Sequence, residues 1–287
     1  MVNVAVAGGS GQVAREVIDA LESPNTTIAP GVRWQTVDYG DKAGLIDALQ
    51  GIHTLLSFVQ LLSDPDQASQ KNLIDAAISS GVKRFAPSEY GREYLRQVNK
   101  NENKLQYTLF QPGLFLDYLA FPYKTAKYFD PLQTIFDFEH RRAIVMEGHE
   151  DAIMTLTTVA DLAAVVARAV DYDSRWPETG GIRGNRITFS QLLEVGKRVR
   201  GRSFDVEKVK VEDLEAGRLE TSWGLEAVHQ AVSKEEASTL LKAVSIGILL
   251  SSSKGAWDSS DELNQLFPDY EFTPVEDFLA KAWEGKP

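Results

Sequence analysis

Gly8, Ser10, Gly11, Gln12 and Val13, in the run GGSGQVA that ends at Ala14, are residue types that can hold a phosphate by its oxygens. Gly8 and Gly11 leave the turn without bulky Cβ groups, so a pyrophosphate can approach the backbone. A helix opening near Gly11 then offers N–H groups and a positive dipole end to the anion. Ser10 and Gln12 add side-chain donors. The third small residue, which lets helix and strand pack closely, is Ala14 in place of glycine. Ahead of the turn, Val2, Val4 and Val6 with alanines between them suit a strand buried on both faces. A tight strand-to-helix turn with no ligand would use the same glycines. The dinucleotide reading draws its weight from strand, turn and helix standing in that order.

Such a site needs a scaffold, and the chain is long enough to build one. Its 287 residues, 43% hydrophobic and 25% charged, allow one large domain or two with a sizeable core. A formal net charge of −11 argues against a nucleic-acid partner, because affinity for polyanions rests on clustered Lys and Arg. The absence of cysteine excludes disulfides, thiolate metal sites and a cysteine nucleophile, and four scattered histidines predict no metal cluster. Met1 runs directly into the first strand, which predicts no signal peptide. Apolar runs such as AVSIGILL at 243–250 are too short to span a bilayer. The expectation is a cytoplasmic protein with no membrane partner.

Strands and helices alternate along the first half. A helix is predicted over 11–22, a strand over 32–39 (VRWQTVDY), a helix over 41–50 and a strand over 53–59. Asp64 and Pro65 open a helix over 64–80 that Gly81 closes. Strands at 83–87 and 106–112 follow. Beyond residue 112 the pattern mixes an aromatic-rich segment at 113–129, strands at 143–147 and 152–157, and an apolar helix at 159–171. The C-terminal third reads as mainly helical, with Ser190 as an N-cap and Phe272–Trp283 as a closing amphipathic helix.

In open α/β sheets ligands bind at the carboxyl edge, which selects two further groups. Ser57, Phe58, Val59 and Gln60 end one strand, and Pro87, Ser88 and Glu89 end the next. A turn capped by Ser88 explains the latter equally well. Phe115, Tyr118 and Phe121 can wall a pocket for an aromatic substrate or form core. Asp117 among them can bind a polar substrate group. His149, beside Glu150 and Asp151, can donate a proton or simply lie in a turn after Gly148.

The motifs GGSGQVA at 8–14, GVKRFAPSEYG at 81–91 and YTLFQPGLFLDYLAFP at 107–122 together resemble the isoflavone-reductase-like branch of the NmrA-like family, atypical short-chain dehydrogenase/reductases. The segments 148–170 and 254–285 look like fungal members of that branch, so the resemblance covers most of the chain. It implies an α/β, Rossmann-like doubly wound parallel sheet at 1–112 binding NADP(H), with NAD(H) less favoured. It also implies a smaller, mainly helical substrate region at 113–287, interleaved with the first, and a monomer or homodimer acting on a small molecule.

Two family features are missing. The strand that normally follows the first helix, ending in an arginine region for the adenosine 2′-phosphate, has no counterpart in ESPNTTIAPG. Asp38 stands 24 residues after Ala14, so a generic Rossmann reading makes it the acid on a ribose 2′-hydroxyl. The family match instead makes 32–38 the third strand, with Asp38 near the adenine and Arg33 either a phosphate contact or solvated. The second absence is the lysine on the helix after Tyr90-Gly91, which orients the nicotinamide ribose or assists proton transfer. Arg92-Glu93-Tyr94-Leu95 follow directly, leaving Tyr90 and Tyr94 as weak catalytic candidates with His149. Tyr123-x-x-x-Lys127 copies a tyrosine–lysine pair but follows the strand it should precede. The sequence thus supports a reductase of an aromatic or conjugated secondary metabolite, a non-catalytic NADP(H) sensor, or a cofactor-assisted non-redox enzyme.

Overall fold

A computed structural model describes residues 2–22, 31–59, 65–88, 92–99, 105–225 and 234–287. It divides into two compact units, Met1–Gln111 with Leu162–Ile182 and Ser260–Asp269, and Pro112–Asp161 with Arg183–Ser259 and Tyr270–Pro287.

The first unit is built on parallel strands joined by helices. In order come β1 (Val4–Ala7), α1 (Gln12–Leu21), α2 (Lys42–Ala48), β2 (Thr54–Ser57), α3 (Ala68–Ser80), β3 (Arg84–Ala86), α4 (Arg92–Asn99), β4 (Gln106–Tyr107) and β5 (Leu109–Gln111). The sheet order is β1-β2-β3-β4, all parallel. β5 continues the path of β4 after Thr108 and pairs in parallel with Thr179–Gly181. The register pairs Ala7 with Ser57, which sets the end of β1 level with the end of β2. Leu55, Leu73, Ile74, Phe85, Leu95, Leu105 and Tyr107 form the core of this unit. Helix boundaries follow local chemistry. The Asp41 side chain accepts from the Gly44 N–H at 3.1 Å to start α2, and Gly81 takes the left-handed φ of +79° that stops α3.

Two expectations fail at the outer edge of this sheet. Every residue of β1 is half-buried and not buried on both faces; among the described residues β2 is the one strand that pairs with it. Residues 31–38 form no strand, and 31–36 are exposed throughout. Among the described residues no strand lies between α1 and α2; residues 23–30 lie outside them.

The second unit carries β6 (Leu114–Phe115), β7 (Phe136–Asp137), β8 (Arg142–Met146), β9 (Ile153–Thr157), β11 (Asn185–Thr188) and β12 (Asp205–Val209), β10 being Thr179–Gly181 of the first unit. They form two three-stranded sheets, β11-β9-β6 and β12-β8-β7. The C-terminal third is mainly helical as the sequence predicts, and β8 and β9 fill the strands expected at 143–147 and 152–157; the remaining strands, of two to five residues, leave little period-2 signal. α5 (Val159–Asp171) fills the predicted apolar span. α6 (Phe189–Arg200) is capped by Thr188, which exchanges bonds with Gln191 in a capping box; Ser190, expected as the cap, instead donates to the Glu150 carbonyl at 3.0 Å. After α7 (Val211–Glu215), α8 (Lys234–Ser253) and, in the first unit, α9 (Glu262–Leu266), α10 (Val275–Trp283) begins after Pro274, three residues later than the Phe272 start expected. Phe136, Phe138, Ile144, Leu156, Phe189, Leu279 and Trp283 make up the core of the second unit.

Candidate functional site

The glycine turn has the shape its residues require. Gly8 sits at φ +70°, and a Cβ there would stand 2.7 Å from the Phe58 carbonyl oxygen, so the end of β2 itself demands glycine. The Gly11 N–H donates to the Gly8 carbonyl at 3.0 Å. Gly11 is the N-cap of α1, extended at ψ 157°, and no side chain caps the helix. Among the described residues a Cβ on Gly11 would meet the Gly8 carbonyl oxygen at 3.2 Å and nothing else within 4 Å. Ser10 and Gln12 are exposed beside it, Val13 is half-buried, and Ala14 is fully buried where α1 packs.

The residues after 31 serve this turn without forming a strand. The Tyr39 hydroxyl accepts from the Gly8 N–H at 2.9 Å. The Trp34 ring lies 3.4 Å from the position of a Cβ on Gly9 and is 62% exposed. Asp38 accepts from the Gly40 N–H at 2.8 Å and, through its carbonyl, from the Asp41 N–H at 3.1 Å, so it shapes the approach to α2 while staying exposed. Sequence spacing marked Asp38 but missed Tyr39 and Trp34.

At the carboxyl edge, the Phe58 N–H donates to the Ala7 carbonyl at 2.9 Å, which locks β2 to β1 just before the turn. Val59 is half-buried against the core. Ser57 closes β2, and Pro87 and Ser88 follow β3. Gln70 of α3 joins these two edges: its Nε2 lies 2.8 Å from Ser57 Oγ and 2.8 Å from Ser88 Oγ. A signal for Gln70 was available, since it is the polar member of the i, i+3, i+4, i+7 set Gln70, Leu73, Ile74, Ala77. Gln60, Glu89 and Tyr90 lie outside the described residues. Tyr94 is committed elsewhere. Its hydroxyl donates to Asp75 at 2.7 Å, and that bond, with burial, pushes the phenol up to about 12.

In the second unit Phe115, Tyr118 and Phe129 form an aromatic triad, with centroids 5.8 Å, 5.0 Å and 5.3 Å apart. Burial, and then the Asp117 carboxylate, pushes the Tyr118 phenol up to about 12, so it stays protonated and able to donate. Phe121 is half-buried before a cis bond to Pro122. Asp117 is 2% exposed and accepts from the Val159 N–H at the start of α5 and from Thr125 Oγ1, both at 2.8 Å. Burial raises its carboxyl above the usual carboxylate range against the pull of those two bonds. Both its oxygens hold the fold together. His149 lies in the turn after β8, its N–H on the Met146 carbonyl. Tyr123 packs edge-on to Trp283 at 5.4 Å with Lys286 over its ring, while Lys127 lies over Tyr128, so the two are no catalytic pair. Asp137, Glu139 and His140 cluster, but Asp137 is held by Arg142 Nε at 2.8 Å and His140 Nδ1 at 2.9 Å. That makes it a salt-bridge network.

Known proteins share this organisation. An oxidoreductase of Metarhizium robertsii, swnN, is 28% identical over 340 aligned positions, covering 100% of this chain and 98% of the relative. That alignment is longer than the 287-residue chain, so the relative carries stretches with no counterpart here. The oxidoreductase BOA1 of Botryotinia fuckeliana is 30% identical over 71% of this chain and 78% of its own length. Among solved structures, the triphenylmethane reductase of a Citrobacter species complexed with NADP(H) superposes with a TM-score of 0.68 at 19% identity, covering 98% of this chain and 99% of that one. At that identity the likeness carries the fold, a Rossmann-like one. The sequence profile of the NmrA-like family matches residues 22–279, and the chain belongs to that family.

Proposed function

We propose that the protein is an NADPH-dependent reductase of an aromatic or conjugated secondary metabolite. The observation that carries this reading is the glycine-rich turn at Gly8–Gly11, opening an uncapped helix at the carboxyl edge of a parallel sheet. Gly8, Ser10, Gly11, Gln12 and Val13 would hold the pyrophosphate; Asp38, with Trp34 beside Gly9, would flank the adenosine; Ser57, Phe58, Val59, Pro87 and Ser88 would border the nicotinamide half. Bound NADPH supplies the hydride, and the chain's own groups bind and orient. The NADP(H) complex of the Citrobacter reductase supports this cofactor over NAD(H). In the second unit the half-buried Phe115 and Tyr118 rings, backed by buried Phe129, offer apolar surface to a substrate ring, and Tyr118 offers a phenolic donor. The site of action is the cytoplasm, and the working form is a monomer or homodimer.

A second reading, a non-catalytic NADP(H) sensor, is favoured by two observations. Tyr94, the described phenol nearest in sequence to the PSEYG motif, has its proton on Asp75, and α4 contains no lysine. Steady-state consumption of NADPH, followed by nicotinamide absorbance with aromatic ketones and enones, separates the two. Turnover of any of them supports the reductase; tight NADPH binding with no turnover across the panel supports the sensor.

A further inference from the structure

We propose that Gln70 is a positioning residue that aims the hydroxyl protons of Ser57 and Ser88 at acceptor oxygens in the nicotinamide half of a bound dinucleotide. Gln70 is 1% exposed, and its Nε2 lies 2.8 Å from each serine Oγ. An amide nitrogen carries two protons and no acceptor lone pair, so both serine oxygens accept in these bonds. A hydroxyl that accepts keeps its own proton to give away. Among the described residues neither Ser57 nor Ser88 donates to another group.

The two serines close adjacent parallel strands. Ser57 is the last residue of β2, Ser88 lies two residues past the end of β3, and the strands pair Leu56 with Ala86. One buried amide therefore sets two hydroxyl donors, the buried Ser57 and the half-buried Ser88, at the edge where open α/β sheets take their ligands. Ser57 is also level with Ala7, the residue before the glycine turn. Two neutral donors side by side suit uncharged acceptors, the ribose oxygens or the carboxamide oxygen of a nicotinamide nucleoside. This inference rests on the dinucleotide reading above.

Replacing Gln70 with glutamate reverses the bonds. A carboxylate only accepts, so both serine protons turn inward and the ligand loses two donors with little change of shape. Calorimetric titration of the full chain with NADPH, and separately with its adenosine bisphosphate fragment, reads the effect. Gln70→Glu is expected to weaken NADPH about tenfold and leave the fragment within about twofold; Ser88→Ala should weaken NADPH about threefold with the fragment again unchanged. Unchanged NADPH affinity in Gln70→Glu overturns the inference, as does an equal loss for both ligands, which would mark a merely structural role. Should buried glutamate prevent folding, Ser88→Ala and Ser57→Ala decide by the same split. Failure of the wild-type chain to bind either ligand would overturn the dinucleotide reading itself.

Discussion

The strand ends of the first unit and the aromatic segment of the second treat their buried polar groups in opposite ways. Ser57 and Ser88 accept from Gln70 and keep their protons to give away. Asp117, more deeply buried than either serine, spends both oxygens on the Val159 N–H and Thr125. Burial alone therefore does not mark a ligand site. What matters is hydrogen-bonding capacity left over once the fold is satisfied. Tyr118 belongs with the serines in this respect and Tyr94 with Asp117, although both phenols are pushed up to about 12, one by burial and the other by a hydrogen bond.

The contrast breaks most sharply at Gly113 and Asp117. Gly113, at φ +71°, would drive a Cβ into the Thr155 carbonyl of β9, so Gly113→Ala should cost at least about 3 kcal/mol in urea unfolding. A loss under about 1 kcal/mol would show that the β6–β9 contact yields easily. Asp117→Ala leaves a helix-start N–H and a threonine hydroxyl without their buried acceptor and should cost about 2–3 kcal/mol. An undiminished stability with an altered substrate KM would return Asp117 to the ligand side.

Its titration sharpens the same point. With its folded pKa above the unfolded value, native Asp117 holds a proton that the unfolded chain has already released. Stability must then fall as pH rises through that window. Asp117→Asn should flatten this slope in unfolding midpoints compared across pH; identical slopes in the two proteins would show that the carboxyl is not raised. The smallest effect is expected at Tyr94→Phe, which removes the bond to Asp75 for about 1 kcal/mol and leaves NADPH affinity unchanged.

Much of this was legible in sequence where periodicity ran long. α3 and α5, thirteen residues each, followed from apolar spacing and the glycine that ends α3, and the glycine turn followed from its order after β1. Residues 32–38 misled because alternating Val32, Trp34 and Thr36 satisfy a strand pattern, yet a strand exists only where a neighbour pairs with it. The site was half legible. Positions at strand ends could be named, but spacing cannot show that Tyr39 bonds back to Gly8, that Gln70 bridges two serines, or that the Asp117 oxygens are already spent.

The central claim is that the Gly8–Gly11 turn clamps a dinucleotide. Calorimetric titration of NADPH into the wild-type chain and into Gly8→Ala tests it, because a methyl at residue 8 forces the turn away from the Phe58 carbonyl. Saturable binding at one site per chain, weakened about tenfold or more in the folded variant, is the predicted result. Wild-type protein that gives no saturable heat, or a folded variant that binds as tightly, would contradict it.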